Sequence, residues 1–330
     1  MFVNRRLLKD IGRYFVSAGL LLVCLPVVQA QASRTLSALS YVERGNEWLN
    51  KGEWERAIAD FNLAIAFDPR AAQAYNNRGV ARQAKADLEG ALADFDRALE
   101  FDPRNAKAYH NRGLLRDARR DYDGAIADFS KALEFDPRYA GAFSNRANAR
   151  YAKSDFAGAI ADSTRALALN PRSRLAHTTR GLARQKQRDF DGAIADFDQA
   201  IVIDPNFAES HYTRGNAHFD KGDGARALAD YTRAIELNPD FADAYNNRGV
   251  LYVTQGKLDR ALADYHQALL LKPLSAIIYL NRGLVKLLQG RAAEAQEDFA
   301  QGLVLDQKLK PSLEQRIEQA KQWLAREPFH

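Results

Sequence analysis

Residues 72–105 read AQAYNNRGVARQAKADLEGALADFDRALEFDPRN and residues 106–139 read AKAYHNRGLLRDARRDYDGAIADFSKALEFDPRY. Superposed without a gap, they share a tyrosine at the fourth place (Tyr75, Tyr109), Asn-Arg-Gly from the sixth to the eighth, and Phe-Asp-Pro-Arg near the end. Outward from this pair the proline recurs every 34 residues, at Pro69, Pro103, Pro137, Pro171, Pro205, Pro239 and Pro273, with Gln307 in the eighth place. Copies therefore begin at residues 38, 72, 106, 140, 174, 208, 242 and 276. A fixed period of this length marks an array of one supersecondary unit stacked on the next.

Inside each copy the apolar residues follow a helical period that breaks near the middle. Position 4 is mostly aromatic (Tyr41, Tyr75, Tyr109, Phe143, Tyr245, Tyr279), and position 8 is glycine in every copy except the fourth, which has Ala147. Position 20 is alanine from Ala57 to Ala261, position 24 is aromatic except for Ser163, and position 27 is alanine from Ala64 to Ala268. Positions 4, 8 and 11 share one face of a first helix, and 20, 24 and 27 share one face of a second. Small residues at 8, 20 and 27 admit close approach, aromatics fill the gaps, and proline at 32 ends the second helix.

This pattern resembles the tetratricopeptide repeat family over residues 38–309. The resemblance implies an all-α, right-handed superhelical solenoid of eight helix-turn-helix repeats, with first helices lining a concave groove. Residues 31–37 read as a leader. Ser312-Leu313-Glu314-Gln315 resembles a capping box opening a capping helix over 310–325, with Leu313, Ile317, Ala320 and Leu324 as its apolar stripe, and 326–330 is a tail.

The most regular charges are arginine at position 7, from Arg44 to Arg282, and aspartate at position 23, from Asp60 to Asp298, both present in every copy. An arginine ladder invites an anionic polymer. Each cation, however, borders the packed face and has an aspartate to match, so pairing within the hairpin is expected. Charges alternate in sign along each copy, which speaks against a nucleic-acid partner despite a pI of about 9.2.

Position 6 carries Asn77, Asn111, Asn145, Asn247 and Asn281, with Thr179 and Thr213 between them. A carboxamide has both donor and acceptor, so a ladder of them suits the backbone of an extended peptide whatever its side chains. The resemblance extends to the repeat groove of the long-repeat O-linked N-acetylglucosamine transferases, whose asparagines at this position bind substrate backbone. Position 6 is thus expected to stay free for a ligand. Specificity is expected from its neighbours: Lys107, Glu209 and Asp243 at position 2, His110 and Tyr212 at 5, Asn46, Asn148 and Asn216 at 9, Tyr151 and Phe219 at 12. A chaperone-type carboxylate clamp matches at Asn46, Asn77 and Lys107, but Val42 and Asn111 stand where that family has cations.

Nothing nominates a catalyst. Phosphate loops, H-E-x-x-H, G-x-S-x-G and zinc-ligand spacings are missing from the sequence. His177, His211 and His218 are the only cluster worth testing as metal ligands, with aromatic packing positions as the simpler reading. No cofactor is implied. The expected function is a non-catalytic scaffold for a protein or extended peptide, compatible with self-association. The alternative is a glycan-associated envelope factor in which Tyr151, Tyr212 and Phe219 stack on sugars.

The start of the chain differs from the rest. Arg5, Arg6, Lys9 and Arg13 flank an apolar run from Phe15 to Val28, followed by Gln29-Ala30. At 14 residues the run is shorter than the roughly 20 needed to span a bilayer, so residues 1–30 read as a cleaved export signal and the chain as periplasmic or secreted. Cys24, after Val23, makes a poor lipoprotein box, and Arg5-Arg6 only loosely suggest a twin-arginine route. Cleavage would remove four basic residues and one acidic, lowering the formal charge from +5 to +2, and would take away the sole cysteine.

Overall fold

A β-carbon added to Gly79 would sit 2.7 Å from Cε1 of Phe95, and the same close approach joins Gly113 to Phe129 and Gly181 to Phe197. Each ring is fully buried. The ring at position 24 thus occupies the space a side chain at position 8 would need, which is why only glycine closes these hairpins without overpacking.

The structure, a computed structural model, describes residues 37–326, with side chains through 322. The proposed signal at 1–30, the leader through residue 36 and residues 327–330 lie outside the described residues. The described residues form helices with no strand. The first hairpin is α1 (37–50) and α2 (Trp54–Phe67). Next come α3 (Ala72–Ala84) with α4 (Leu88–Phe101), α5 (Ala106–Ala118) with α6 (Tyr122–Phe135), and α7 (Ala140–Ala152) followed by α8 (Phe156–Leu169). The later pairs are α9 (Arg174–Lys186) and α10 (Phe190–Ile203), α11 (Ala208–Lys221) and α12 (Gly224–Leu237), α13 (Ala242–Thr254) and α14 (Leu258–Leu271), and α15 (Ala276–Leu288) and α16 (Ala292–Leu305). α17 (Lys310–Arg326) closes the chain. The helices group into two compact units divided between Lys153 and Ser154.

Local chemistry sets the boundaries. Position 15 takes a left-handed backbone in every copy, and where position 16 is aspartate it caps the second helix, as Asp87, Asp121 and Asp189 do by accepting from the N–H of Gly90, Gly124 and Gly192. At the far end the residue before the proline folds the chain back, as where Asp102 accepts from the Arg104 N–H at 3.2 Å. Within each unit a first helix packs on its own second helix and on the one before it. The cores show this sharing: Ala91 and Phe95 of one copy enclose Leu115 of the next, and Ala98 and Leu99 enclose Ala108. No hairpin buries both faces alone, so each stabilises its neighbour.

The end helix starts at residue 310 as expected but is opened by different residues. Asp306 accepts from the Lys308 N–H, a short 3₁₀ turn follows over Gln307–Leu309, and α17 begins at Lys310. Pro311 therefore falls in the first turn, where its missing N–H costs nothing, and Ser312 lies inside the helix rather than capping it. Leu313 is buried against Leu280, Leu284 and Phe299, with Ile317 beside it. The side chain of Leu324 lies outside the described residues.

Candidate functional site

Position 7 is occupied with structure. Arg78 meets Asp94 through two bonds, Nε to Oδ2 at 2.9 Å and Nη2 to Oδ1 at 2.6 Å, and Asp94 is only 3% exposed at its side chain. The same fork joins Arg44 to Asp60, Arg112 to Asp128, Arg214 to Asp230, Arg248 to Asp264 and Arg282 to Asp298, and Arg180 grips Asp196 through three bonds. The third guanidinium nitrogen reaches back to position 25 of the preceding copy: Asn62 from Arg78, Asp96 from Arg112, Ser130 from Arg146, Thr164 from Arg180 and Asp198 from Arg214. Arg78, Arg112, Arg180 and Arg214 thereby tie their hairpins both internally and to the preceding one. Burial works against the Arg112 charge, but Asp128 and Asp96 more than offset it and hold the guanidinium above its ordinary value. An anionic polymer finds no free arginine ladder here.

Sequence reasoning missed a second cation on the same aspartates. Position 11 supplies Arg82 to Asp94 at 2.9 Å, Arg116 to Asp128 at 2.9 Å, Arg184 to Asp196 at 2.7 Å and Lys286 to Asp298 at 2.8 Å. The signal was present as a basic residue four places after position 7, one helical turn along the same face.

The asparagines of position 6 are wired together rather than loose, which corrects the expectation of a free ladder. Asn111 donates to Asn76 Oδ1 (3.0 Å), Asn76 to Asn77 Oδ1 (2.8 Å), and Asn77 to Asn46 Oδ1 (2.6 Å). This chain crosses three consecutive first helices, α5, α3 and α1. It lies against a polar cavity of about 630 Å³ lined by Asn46, Asn50, Gln73, Asn76, Asn77, Lys107 and Asn111 among others. A carboxamide has two donors and two acceptor sites. The chain uses one N–H and one lone pair of Asn77, leaving the same again for a ligand. Asn76 and Asn50 were not singled out from sequence; the Asn-Asn pair at 76–77 was the available signal.

Other predicted residues divide by surroundings. Asn145 Nδ2 lies 2.9 Å from His110 Nε2, and Tyr139 hydroxyl 3.0 Å from Nδ1. Because an amide nitrogen only donates, Nε2 accepts and Nδ1 carries the proton; burial lowers the pKa of this imidazole. Asn148 hydrogen-bonds the Asp117 carboxyl, whose pKa burial raises. Tyr151 is half-buried, and burial raises its phenol.

In the second unit Thr179 is 2% exposed and Thr213 turns back onto the carbonyls of Glu209 and Ser210, so neither offers the groove a free hydroxyl. Steric crowding and back-bonding within the helix explain both. Asn247 donates to Asn216 (3.0 Å) and to the Tyr212 hydroxyl (3.2 Å), beside a cavity of about 360 Å³ shared with Phe219. Tyr212 is engaged in packing, its ring 4.7 Å from Phe241 and 5.9 Å from Tyr231, whereas Phe219 is 42% exposed. Asn281 is buried, donating to Asn246 and accepting from Arg316 of α17. Glu209 is exposed, and Asp243 is held by Lys272 at 2.7 Å.

Two further sequence features have structural places. Val42, the first missing clamp position, is a core residue at 3% exposure, so the clamp is closed there as well as uncharged. His211 and His218 each lie 4.0 Å from Asp230 while His177 pairs with Asp196, and among the described residues no group of three His, Cys, Asp or Glu that could hold a metal ion occurs. His177 lies between Asp196 (3.2 Å) and the Pro171 carbonyl (3.1 Å), while His211 Nε2 donates to the Pro205 carbonyl. His218 is buried 4.0 Å from Asp230, and burial lowers its pKa.

Tandem helical hairpins that share their cores and present polar first helices define the class of repeat scaffolds. Family models agree: "TPR repeat" matches residues 45–85, 188–222 and 215–256, and "Tetratricopeptide repeat" matches 72–105, 106–139 and 242–273. Together they cover more than half of the chain, which belongs to the tetratricopeptide repeat family. No curated protein sequence matches significantly.

Among solved structures, a tetratricopeptide repeat protein from Parabacteroides merdae is similar at 21% identity, over 76% of this chain and 99% of that one, with a TM-score of 0.58. PilF of Pseudomonas aeruginosa is similar at 21% identity, over 63% and 94%, with a TM-score of 0.57. A chain of the APC/C hetero-tetramer Cut9-Hcn1 is similar at 18% identity, over 81% of this chain and 52% of that one, with a TM-score of 0.63. These likenesses speak to the fold. Proteins of this family are generally interaction scaffolds rather than catalysts. Among the described residues no helix is long and apolar enough to cross a membrane.

Proposed function

We propose that the chain is a non-catalytic scaffold that holds an extended polypeptide against the first helices of repeats one to three. The polar cavity beside the Asn46–Asn77–Asn76–Asn111 chain carries this reading. An extended peptide presents alternating N–H and C=O groups that its own backbone leaves unpaired, and each carboxamide can meet one of each. A single bond nets only about 1 kcal/mol, so recognition requires several at once. The inter-carboxamide bonds fix these side chains before the ligand arrives, which reduces the ordering cost of binding. Lys107, exposed at the cavity wall, adds a preference for an acidic side chain or terminus.

Residues 1–30 support export, and the proposed setting is the cell envelope. The glycan alternative has less behind it, since Tyr212 is engaged in packing. The test is crosslinking in the native cell followed by mass spectrometry, comparing wild type with Asn46→Ala/Asn111→Ala. Loss of captured polypeptides with helical circular dichroism retained is the expected result. Unchanged capture would remove this cavity from the account.

A further inference from the structure

Beside α17 the second unit holds a cavity of about 510 Å³ of different character. Its walls are Val250 and Val253 of α13, Leu258 of α14 and Leu284, Val285 and Leu288 of α15. Arg316 and Tyr265 are among the residues that also line it. Arg316 of α17 makes one side-chain bond, to Asn281 Oδ1 at 2.8 Å, and among the described residues no carboxylate pairs with it. Tyr265, 2% exposed overall, has no hydrogen-bond partner for its hydroxyl, although its counterpart Tyr231 donates to Asn216; position 9 of this repeat is Val250. Burial pushes the Arg316 guanidinium down, whereas Arg214, Arg248 and Arg282 are each held up by the aspartate they bond. Among the described residues, then, a half-buried cation without a carboxylate partner and a phenol without an acceptor both border an apolar cavity, a combination that suits one anionic acceptor carried on an apolar group.

We propose that this cavity binds the C-terminal residue of a polypeptide ending in aliphatic side chains, its α-carboxylate between Arg316 and Tyr265 and its side chain against Val250, Val253, Leu284 and Leu288. The walls come from separate helices and form an open trough rather than the closed tunnel a free alkyl chain needs to leave water. Gln319 on its border supplies a carboxamide that suits a peptide backbone and that an alkyl chain has no use for, while the Thr254 hydroxyl is turned back onto the Leu251 carbonyl. The site lies in the other unit from the asparagine cavity and goes beyond the function proposed above.

The test uses the chain as it stands and a fluorescein-labelled octapeptide, Ser-Gly-Ser-Gly-Ala-Leu-Val-Leu, read by anisotropy. The free acid is expected to bind at least tenfold more tightly than the C-terminal amide. Arg316→Gln should weaken the acid tenfold or more. Tyr265→Phe, which keeps the ring, should weaken it about threefold, and Asn46→Ala/Asn111→Ala should leave it unchanged, separating this site from the other. Circular dichroism checks that the variants are folded. Equal binding of acid and amide, or an unaffected Arg316→Gln, overturns the proposal. Saturable binding of sodium decanoate with none of the peptide acid overturns the assignment to a polypeptide terminus.

Discussion

Replacing Ala86 with glycine should stabilise the array although it removes a side chain. Position 15 is left-handed throughout, with φ of +63° at Ala86, +62° at Arg120, +63° at Ser154 and +65° at Arg188, against +75°, +89°, +69° and +77° at Gly52, Gly222, Gly256 and Gly290. A residue with a β-carbon pays about 1–2 kcal/mol for that conformation. Glycine avoids it but loses about 0.4–1 kcal/mol through the freedom it gains when unfolded. The balance is a gain of roughly 0.5–1 kcal/mol for Ala86→Gly. Ala86, Arg120 and Arg188 are exposed, so little packing is lost. Sites in different repeats share no partners, and the triple variant Ala86→Gly/Arg120→Gly/Arg188→Gly should gain about 1.5–3 kcal/mol. The converse is cleaner still: a β-carbon on Gly256 would meet nothing within 4 Å, so Gly256→Ala isolates the backbone cost and should lose a similar amount per site. Urea unfolding followed by circular dichroism, fitted with a nearest-neighbour model because arrays need not be two-state, reads both. A lower midpoint for Ala86→Gly, or a higher one for Gly256→Ala, would show that the left-handed backbone is not what limits these turns.

Three further outcomes follow from packing and charge. Asp94→Ala strands Arg78 and Arg82 together and should cost about 3–5 kcal/mol, more than Asp264→Ala, which strands Arg248 alone; paired urea titrations decide the order. Gly113→Ala drives a β-carbon to 2.7 Å from the buried Phe129 ring and should cost about 1–3 kcal/mol despite the better helix propensity of alanine, read as faster amide exchange in α5 and α6. His110 is buried beside Tyr139 and Asn145, and its pKa lies below the ordinary 6.5. The unfolded chain therefore takes up a proton before the folded one does. Its contribution is full above pH 6.5 and is lost as the pH falls below that. The urea midpoint should drop between pH 7.5 and pH 5, and His110→Gln should flatten that drop; equal slopes would exclude the buried imidazole as its source.

The hairpin was legible because its rules are local or periodic. Glycine at 8 and an aromatic at 24 are complementary volumes, and the sequence shows the dependence directly: the one repeat with alanine at 8, Ala147, is also the one without an aromatic at 24, Ser163. The arginine–aspartate fork was legible for a similar reason, since two charges beside packed faces have few other ways to be satisfied. The end helix was legible in its start at 310 but not in its capping, because Asp306 and Pro311 outweigh the capping pattern at Ser312, and a pattern of four residues does not show which of two competing caps wins.

Position 6 shows why binding residues are harder to read than framework residues. A helical wheel places Asn111 away from its own second helix but carries no information about the helix of the preceding repeat, and there Asn76 waits as an acceptor. The same carboxamide versatility that suits asparagine to a peptide backbone suits it to another asparagine. The difference between repeats therefore lies in what the neighbours leave over. At Asn77 each carboxamide atom still has capacity beside an open cavity, at Asn281 the end helix has covered the group and Arg316 has taken its oxygen, and at Thr213 the hydroxyl has turned back into its own helix. One ladder in sequence becomes several environments in space, and the first stands beside the polar cavity of repeats one to three. Covering Asn281 is also what brings the charge of Arg316 to an apolar wall where no carboxylate among the described residues pairs with it, so the helix that closes one ligand surface creates the conditions for another of opposite chemistry.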